Sequence, residues 1–427
     1  PAAVFHLLGG KMRKATAEAP LSPLWQDIYG FFDENSQWQK HLSLLKQGIG
    51  KTAKPERLSP KTAKALYGKN IFSSVSRLER FAGCPFSFFA EYGLKAEERR
   101  LYQLNTPDLG SLFHEVLELF SNKLEQDSLP WTSLTKEETT ARIHAAVEDA
   151  APRLGNRILL DSAANQYLIR RLKRISTRAA WTLVQHLQQG DFVPAGYEVG
   201  FGAHEALPPI VIRLQDGGSL ILNGKIDRVD LLDANGTRYV KIIDYKSGNK
   251  TFHFQDIYYG LQLQLLVYLD AYLKYYKKTG ASFKPGGVFY FRITDPTLAL
   301  DEELSAEAIE KILYEKMRMS GLLLQEDVLI HGIDHSLAES RSSAIVPVGY
   351  TKKGDPTAAS NLATEEQYAV LLDFVATRTQ EIGDAMKAGI ITPAPYRDGQ
   401  RTPCAYCSYR SLCRHSYAEA PKWRKLK

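Results

Sequence analysis

The stretch that most restricts this chain is Gly224 to Gly248, GKIDRVDLLDANGTRYVKIIDYKSG. Two apolar runs flank Asp233-Ala234-Asn235-Gly236, and Asn-Gly in that setting signals a tight hairpin turn. The stretch therefore reads as two adjacent strands. Side chains alternate between the faces of a strand, which puts Asp244 and Lys246 on one face of the second. With Asp227 on the first strand, two carboxylates and an amine can converge at a strand end. Such carboxylates hold a hard divalent cation, and the lysine orients a water and offsets charge on a phosphate. The set suits phosphodiester hydrolysis. A plain hairpin with polar side chains in solvent is the alternative these residues alone leave open.

The rest of the chain narrows the setting. Its 427 residues suffice for about two to three domains. Apolar content of 44% and charged content of 24% are those of a globular protein. The net charge of +6 is a mild basic excess that suits a polyanion such as DNA. No apolar run approaches the roughly 18 residues of a bilayer span, and no signal-peptide pattern opens the chain, so no membrane partner is expected. The chain opens on Pro1 rather than Met, which reads as a piece of a longer polypeptide. Four cysteines are too few for a secreted disulfide framework, and a reducing cytoplasm is the expected compartment.

Residues 1–70 differ in character from the rest of the chain. Ser22-Pro23 opens an amphipathic helix, a second covers about 35–48, and Lys54-Pro55 to Pro60 is linker-like. This reads as the helical end of an upstream domain plus a connector. Gly48-Ile49-Gly50-Lys51-Thr52 superficially suggests a phosphate loop. However, Leu45 stands where such a loop needs glycine, and the preceding segment reads as helix, so no ATP site is assigned.

A second domain, 71–427, starts near Ser74-Val75-Ser76-Arg77 and runs into Cys84-Pro85 and the aromatics Phe86, Phe88, Phe89 and Tyr92. In GSLFHEVLE (110–118), His114 and Glu118 lie one helical turn apart; a lone helix histidine can also be structural. The region 135–190 reads as helical. Arg170, Arg174 and Arg178 share one face there, suited either to tracking a phosphate backbone or to simple solvation. Segments 197–201, 210–212 and 220–222 are expected to join the hairpin in one sheet; Glu198 could sit near the site, but a structural role is the favoured reading. A single long helix is expected over 257–277, carrying Gln264 and Tyr268 one turn apart. These two can hydrogen-bond a phosphate or water, or serve as helix filler. A buried strand comes next at 287–291, with helices near 305–319 and 363–389.

Cys404, Cys407 and Cys413 cluster near the end, far from Cys84. Four thiolates can bind zinc or an iron–sulfur cluster, and spacing alone does not decide between them.

SRLERFAGCPFSFFAEYGLK, GSLFHEVLE, GKIDRVD, IIDYKSG, QLQLLVY and CAYCSYRSLC occur in that order over about 71–415. Together they resemble the RecB-like branch of the PD-(D/E)XK nuclease superfamily. The one-plus-three cysteine pattern resembles AddB-type and Cas4-type nucleases, and the set looks most like the C-terminal region of the AddB family.

The resemblance implies an α/β, restriction-endonuclease-like mixed sheet flanked by helices. A [4Fe-4S] cluster on Cys84, Cys404, Cys407 and Cys413 would join the two ends of the domain. It implies Mg2+ on His114, Asp227, Asp244 and the main-chain carbonyl of Tyr245. Lys246 would act on water and phosphate, and Gln264 and Tyr268 would support substrate or water. It further implies cleavage of the 5′-terminated single strand of DNA during double-strand break resection and recombinational repair. The partner would be AddA, which supplies the ATP motor. The alternatives are a stand-alone Cas4-like exonuclease and a non-catalytic DNA-binding scaffold.

Overall fold

The structure is a computed structural model that describes residues 1–15, 19–48, 57–97, 106–153, 163–298, 303–413, 415 and 423–426. The chain divides into two compact units: Pro1–Glu56 with Arg410–Lys422, and Arg57–Tyr409 with Trp423–Lys427. In the smaller unit, helices α1 (Ala2–Lys14), α2 (Pro23–Glu34) and α3 (Ser36–Gly48) enclose Leu8, Phe32 and Leu42. Phe5, Phe32 and Trp38 interlock there, each ring pair 5.1 Å apart. Gly48 ends α3, and residues 49–52 of the glycine-containing stretch lie outside the described residues.

The larger unit opens with α4 (Pro60–Tyr67), β1 (Asn70–Ser73), α5 (Val75–Gly83) and α6 (Pro85–Phe88). Ser74 caps α5 by accepting the Arg77 N–H. Helices α7 (Thr106–Gln126), α8 (Lys136–Ala150) and α9 (Ala163–Gln188) come next, then strands β2 (Val193–Phe201), β3 (Ile210–Arg213), β4 (Ser219–Leu222), β5 (Gly224–Ala234) and β6 (Thr237–Lys246). After these are α10 (Phe254–Tyr258), α11 (Gln264–Lys278), β7 (Lys284–Arg292), α12 (Ala306–Lys316), β8 (Ser320–Leu324), α13 (Asp327–Ile333), β9 (Leu362–Ala363) and α14 (Glu365–Lys387). The strands β10 (Tyr396–Arg397) and β11 (Arg424–Lys425) close the unit.

The main sheet is six-stranded and mixed, in the order β2-β5-β6-β7-β8-β9. Its centre is the expected hairpin. Asn235 and Gly236 both take positive φ (51° and 75°), and Ala234 faces Thr237 across the turn. That is the backbone a two-residue primed turn demands. β7 lies parallel to β6, so α11 serves as the crossover and packs on both strands. Helix α14 packs on α11 and α5. The other sheet face meets α9, whose His186 ring packs edge-on against Phe291 of β7.

Two expectations need correction. Segments 210–213 and 219–222 do not join the main sheet. They form a separate three-stranded sheet, β1-β4-β3, because β1 supplies a parallel partner for β4. The single helix expected over 257–277 is also broken, into α10 and α11. Gly260 turns the chain between them at φ 76°, in close quarters where a Cβ would press on Ile382 and Ala82. The break puts Gln264 in the first turn of α11.

Candidate active site

Strands β5 and β6 pair from the turn as far as Arg228 opposite Ile243. Beyond that point they separate: the start of β5 stays with β2, and the end of β6 stays with β7. Asp227 and Asp244 are the first residues past the last shared pair, so both stand at the fork. They are only 8% and 3% exposed, and buried carboxylates need partners.

The partners are specific. Asp227 Oδ2 accepts the backbone N–H of Tyr245 at 2.6 Å and lies 3.3 Å from His114 Nδ1. His114 reaches the fork because α7 comes close to the end of β6, where a Cβ on Gly110 would sit 3.1 Å from Ser247 Oγ. Asp244 Oδ1 accepts Gln264 Nε2 at 2.7 Å. Its Oδ2 forms an ion pair with Lys246 but takes no well-angled hydrogen bond. Lys246 Nζ also reaches Gln264 Oε1 at 3.5 Å.

Glu198 completes the group, which corrects its reading as a structural residue. One ligand atom each from His114, Glu198 and Asp227 lie within 4.8 Å of one another. Glu198 sits inside β2 with φ 47°, a left-handed conformation rare for a side-chain-bearing residue and typical of functional sites. The pairing of β2 with β5 continues on either side, with Tyr197 opposite Arg228 and Val199 opposite Ile226. The only signal in the sequence is one acidic residue among the apolar positions of Tyr197-Glu198-Val199-Gly200-Phe201.

A second missed residue is Glu79 on α5. Its Oε1 accepts the backbone N–H groups of Leu263 (2.8 Å) and Gln264 (3.1 Å), and its Oε2 pairs with Lys250 at 3.2 Å. It thus anchors the first turn of α11 that presents Gln264.

The electrostatics suit a cation site. Burial, then the Asp227 charge, raises Asp244 to about 6. Burial and the neighbouring Asp227 and Glu118 raise Glu198 to about 7. Burial alone would depress His114, but the hydrogen bond and charge of Asp227 outweigh it and raise the imidazole. Burial likewise opposes the Lys246 ammonium, and the charges of Asp244 and Asp227 prevail and raise it. The lysine is therefore a cation at neutral pH. An open cleft of about 720 Å³, bordered by His114, Glu118, Glu198 and Ser247, leads to the group.

Tyr268 borders the group, close enough for the charges of Asp244 and Asp227 to act on its phenol. It is buried, its ring stacks on Phe201 at 5.5 Å, and its hydroxyl meets the backbone at Gly224 and Lys225. It holds the start of β5 in place. Tyr245 contributes the N–H to Asp227, and its ring lies on the opposite sheet face between His114 and Phe291.

On that opposite face is a buried charge cluster. Arg228 grips Asp230 with two hydrogen bonds (2.6 and 2.9 Å), and Lys241 reaches the same carboxylate at 3.0 Å. Arg228 also stacks over Trp131, and Lys241 over Phe192.

Cys84 joins α5 to α6. Backbone N–H groups of Ser87, Ala394 and Phe86 point at its sulfur, and Cys407 is close enough to act on it electrostatically. Burial nevertheless pushes the thiol up. Cys404 and Cys407 belong to the same unit and are half-buried, whereas Cys413 belongs to the smaller unit. Arg174 and Arg178 both ion-pair with Asp295, at 2.7 and 3.3 Å, and Arg170 is exposed on the same helix.

Comparison with known proteins agrees with this geometry. The PD-(D/E)XK nuclease superfamily matches residues 73–414. The chain belongs to that superfamily. Residues 1–48 match the fifth domain of the ATP-dependent helicase/deoxyribonuclease AddB. The chain is 41% identical over 422 residues to an ATP-dependent helicase/deoxyribonuclease subunit of Alkaliphilus oremlandii, covering 98% of this chain and 37% of the relative. Identity to the like-named protein of Alkaliphilus metalliredigens is 41% over 415 residues (97% and 36%). For that of Caldanaerobacter subterraneus it is 37% over 414 residues (97% and 36%). The chain thus spans little more than a third of the length of these curated relatives. Among the described residues, no helix is long and apolar enough to cross a membrane.

Proposed function

We propose that this chain is the nuclease-bearing part of a helicase–nuclease subunit of the AddB type, and that it hydrolyses phosphodiester bonds of single-stranded DNA with Mg2+. The observation that carries the reading is the fork, where Asp227, Asp244, Glu198, His114 and Lys246 converge at the parting of two central strands. The donor set of His114, Glu198 and Asp227 is rich in hard oxygen, and beside it Asp244 has a buried carboxylate oxygen, Oδ2, without a well-angled hydrogen bond among the described residues. That is what a divalent cation requires. Asp227, Asp244, Glu198 and His114 would hold the ion, with the Tyr245 carbonyl as a further ligand. When bound, the ion polarises the phosphate and lowers the pKa of a coordinated water. Lys246, as an ammonium, neutralises charge on the phosphate rather than accepting a proton. Gln264 fixes Lys246 and Asp244 relative to each other.

Residues 1–70 are read as the end of the helicase-like portion and 71–427 as the nuclease domain. The four cysteines are assigned to a [4Fe-4S] cluster. The three backbone N–H groups directed at Cys84 Sγ support that assignment, since they favour a thiolate ligand. By the resemblance of its motifs to the AddB family, the chain would work beside an AddA-type motor on the 5′-terminated strand during end resection, in the cytoplasm.

The test is cleavage of single-stranded DNA labelled at either end, with Mg2+ or chelator, by the full-length protein and by Asp244→Ala. Loss of cutting in the variant with DNA affinity kept within a few-fold is expected. A folded wild-type protein that binds DNA and does not cut it would refute the nuclease reading in favour of a scaffold.

A further inference from the structure

A second cavity, of about 560 Å³, lies between α9 and α12. Trp181, Leu313, Tyr314 and Met317 supply its apolar surface. Six basic side chains line it: Lys136, Arg170, Lys173, Arg174, Arg178 and Lys311. Among the described residues, only three carboxylates, Glu148, Asp295 and Glu310, pair with that set. Arg170 and Lys311 are exposed and have no ion-pair partner among the described residues. Thr177 also lines the groove, and its buried hydroxyl has no hydrogen-bond partner among the described residues.

A backbone segment links the groove to the end of β6, the strand that carries Asp244 and Lys246. The backbone N–H of Ile293, just past β7, donates to Lys246 O at 2.9 Å. Two residues further on, Asp295 holds both Arg174 and Arg178. The Thr297 carbonyl then accepts Lys316 Nζ of α12 at 3.3 Å. The segment leaving the catalytic end of the sheet therefore runs directly to the groove and fixes its basic edge.

We propose that this groove is a binding site for single-stranded DNA. A nucleobase would rest against Trp181 and Tyr314, and the flanking phosphates would lie on Arg170, Lys311 and the anchored Arg174 and Arg178. The chemistry points to a single strand. A duplex hides the base faces, whereas an aromatic floor with a cationic rim takes an unstacked base and its backbone together. The surplus of positive charge complements phosphates, and the two arginines held by Asp295 are pre-oriented. The proposal rests on the nuclease reading and extends it: the strand presented to Asp227 and Asp244 continues past Arg292 into the groove.

The experiment uses the full-length protein, chelator and a thymidine oligonucleotide carrying 5-iodouracil, with cross-links mapped by mass spectrometry. Cross-links to Trp181 or Tyr314 are expected. The double variant Arg170→Glu/Lys311→Glu should bind the oligonucleotide about tenfold more weakly. Its salt dependence should flatten by about 1.4 in log–log slope, as for two lost single-strand phosphate contacts. Trp181→Ala should lose the cross-link and Trp181→Phe retain binding. Divalent-ion affinity should be unchanged in all three. A protein that cuts DNA, yet cross-links nowhere in 170–185 or 311–317 and tolerates the double variant, overturns this proposal alone. A folded protein that neither binds nor cuts DNA overturns both readings.

Discussion

Glu79 accepts the backbone N–H of Gln264 at 3.1 Å, and through that bond α5 sets the position of the glutamine that bridges Asp244 and Lys246. Glu79→Ala leaves the first turn of α11 with two unsatisfied N–H groups. A loss of about 1–2 kcal/mol is expected by urea denaturation. Single-turnover cleavage should slow while divalent-ion affinity stays the same, because Glu79 holds the helix and not the ion. Unchanged stability together with an unchanged rate would show that the contact is dispensable.

The pH response comes from the raised carboxyls. Glu198 at about 7 and Asp244 at about 6 lie above the ordinary carboxylate range near 4. The metal-free folded state therefore binds more protons than the unfolded state between roughly pH 4 and 7. Their contribution to stability is greatest below that window and falls as pH rises through it. A divalent cation must displace those protons, so its affinity should climb with pH, by on the order of tenfold between pH 6 and 8. Calorimetric Mg2+ titrations at several pH values measure this, and Glu198→Gln should flatten the profile. A wild-type affinity independent of pH would contradict the assignment.

Gly224 and Tyr268 form a close packing pair. Gly224→Ala would thrust a methyl into the phenol hydroxyl and should cost on the order of 1–3 kcal/mol. Tyr268→Phe removes the obstructing oxygen. The double variant should recover part of the loss, a coupling readable from thermal denaturation of all four proteins. Strict additivity would mean that the backbone shifts to accommodate the methyl.

Among the described residues, Asp230 is the sole carboxylate between two buried cations, Arg228 and Lys241. Asp230→Ala leaves both without a counter-charge. A loss of about 3–5 kcal/mol is expected, enough to threaten folding. A melting temperature close to that of the wild type would show that water or a solute anion compensates.

Cys84→Ala removes the proposed ligand nearest the start of the domain. Iron and acid-labile sulfide should fall together, with a lower melting temperature and weaker DNA binding. The carboxylate group at the fork should still bind Mg2+. Full iron content with unchanged stability would exclude Cys84 as a ligand.

The parts of the site that were legible in sequence are those set by local rules. Asn235-Gly236 dictated the hairpin, strand alternation put Asp244 and Lys246 on one face, and a helical stretch placed His114. Glu198 escaped because its role depends on a φ of 47°, which no pattern of apolar and polar residues encodes. Glu79 escaped because its partners lie 184 and 185 positions away. The break at Gly260 was masked by an apolar pattern that continues across it at helical spacing. The second sheet was missed because β1 is a strand of only four residues at the boundary between the two expected domains, too short to stand out as a strand.

The hairpin that ends in the fork also has a far end, and its two exposed tip residues, Asn235 and Gly236, are separated from the carboxylates by the whole paired length of β5 and β6. That geometry makes the tip a practical attachment point. A dye, a surface tether or a short peptide tag grafted there would leave the strand register intact, so the protein could be followed on single DNA molecules with its chemistry undisturbed.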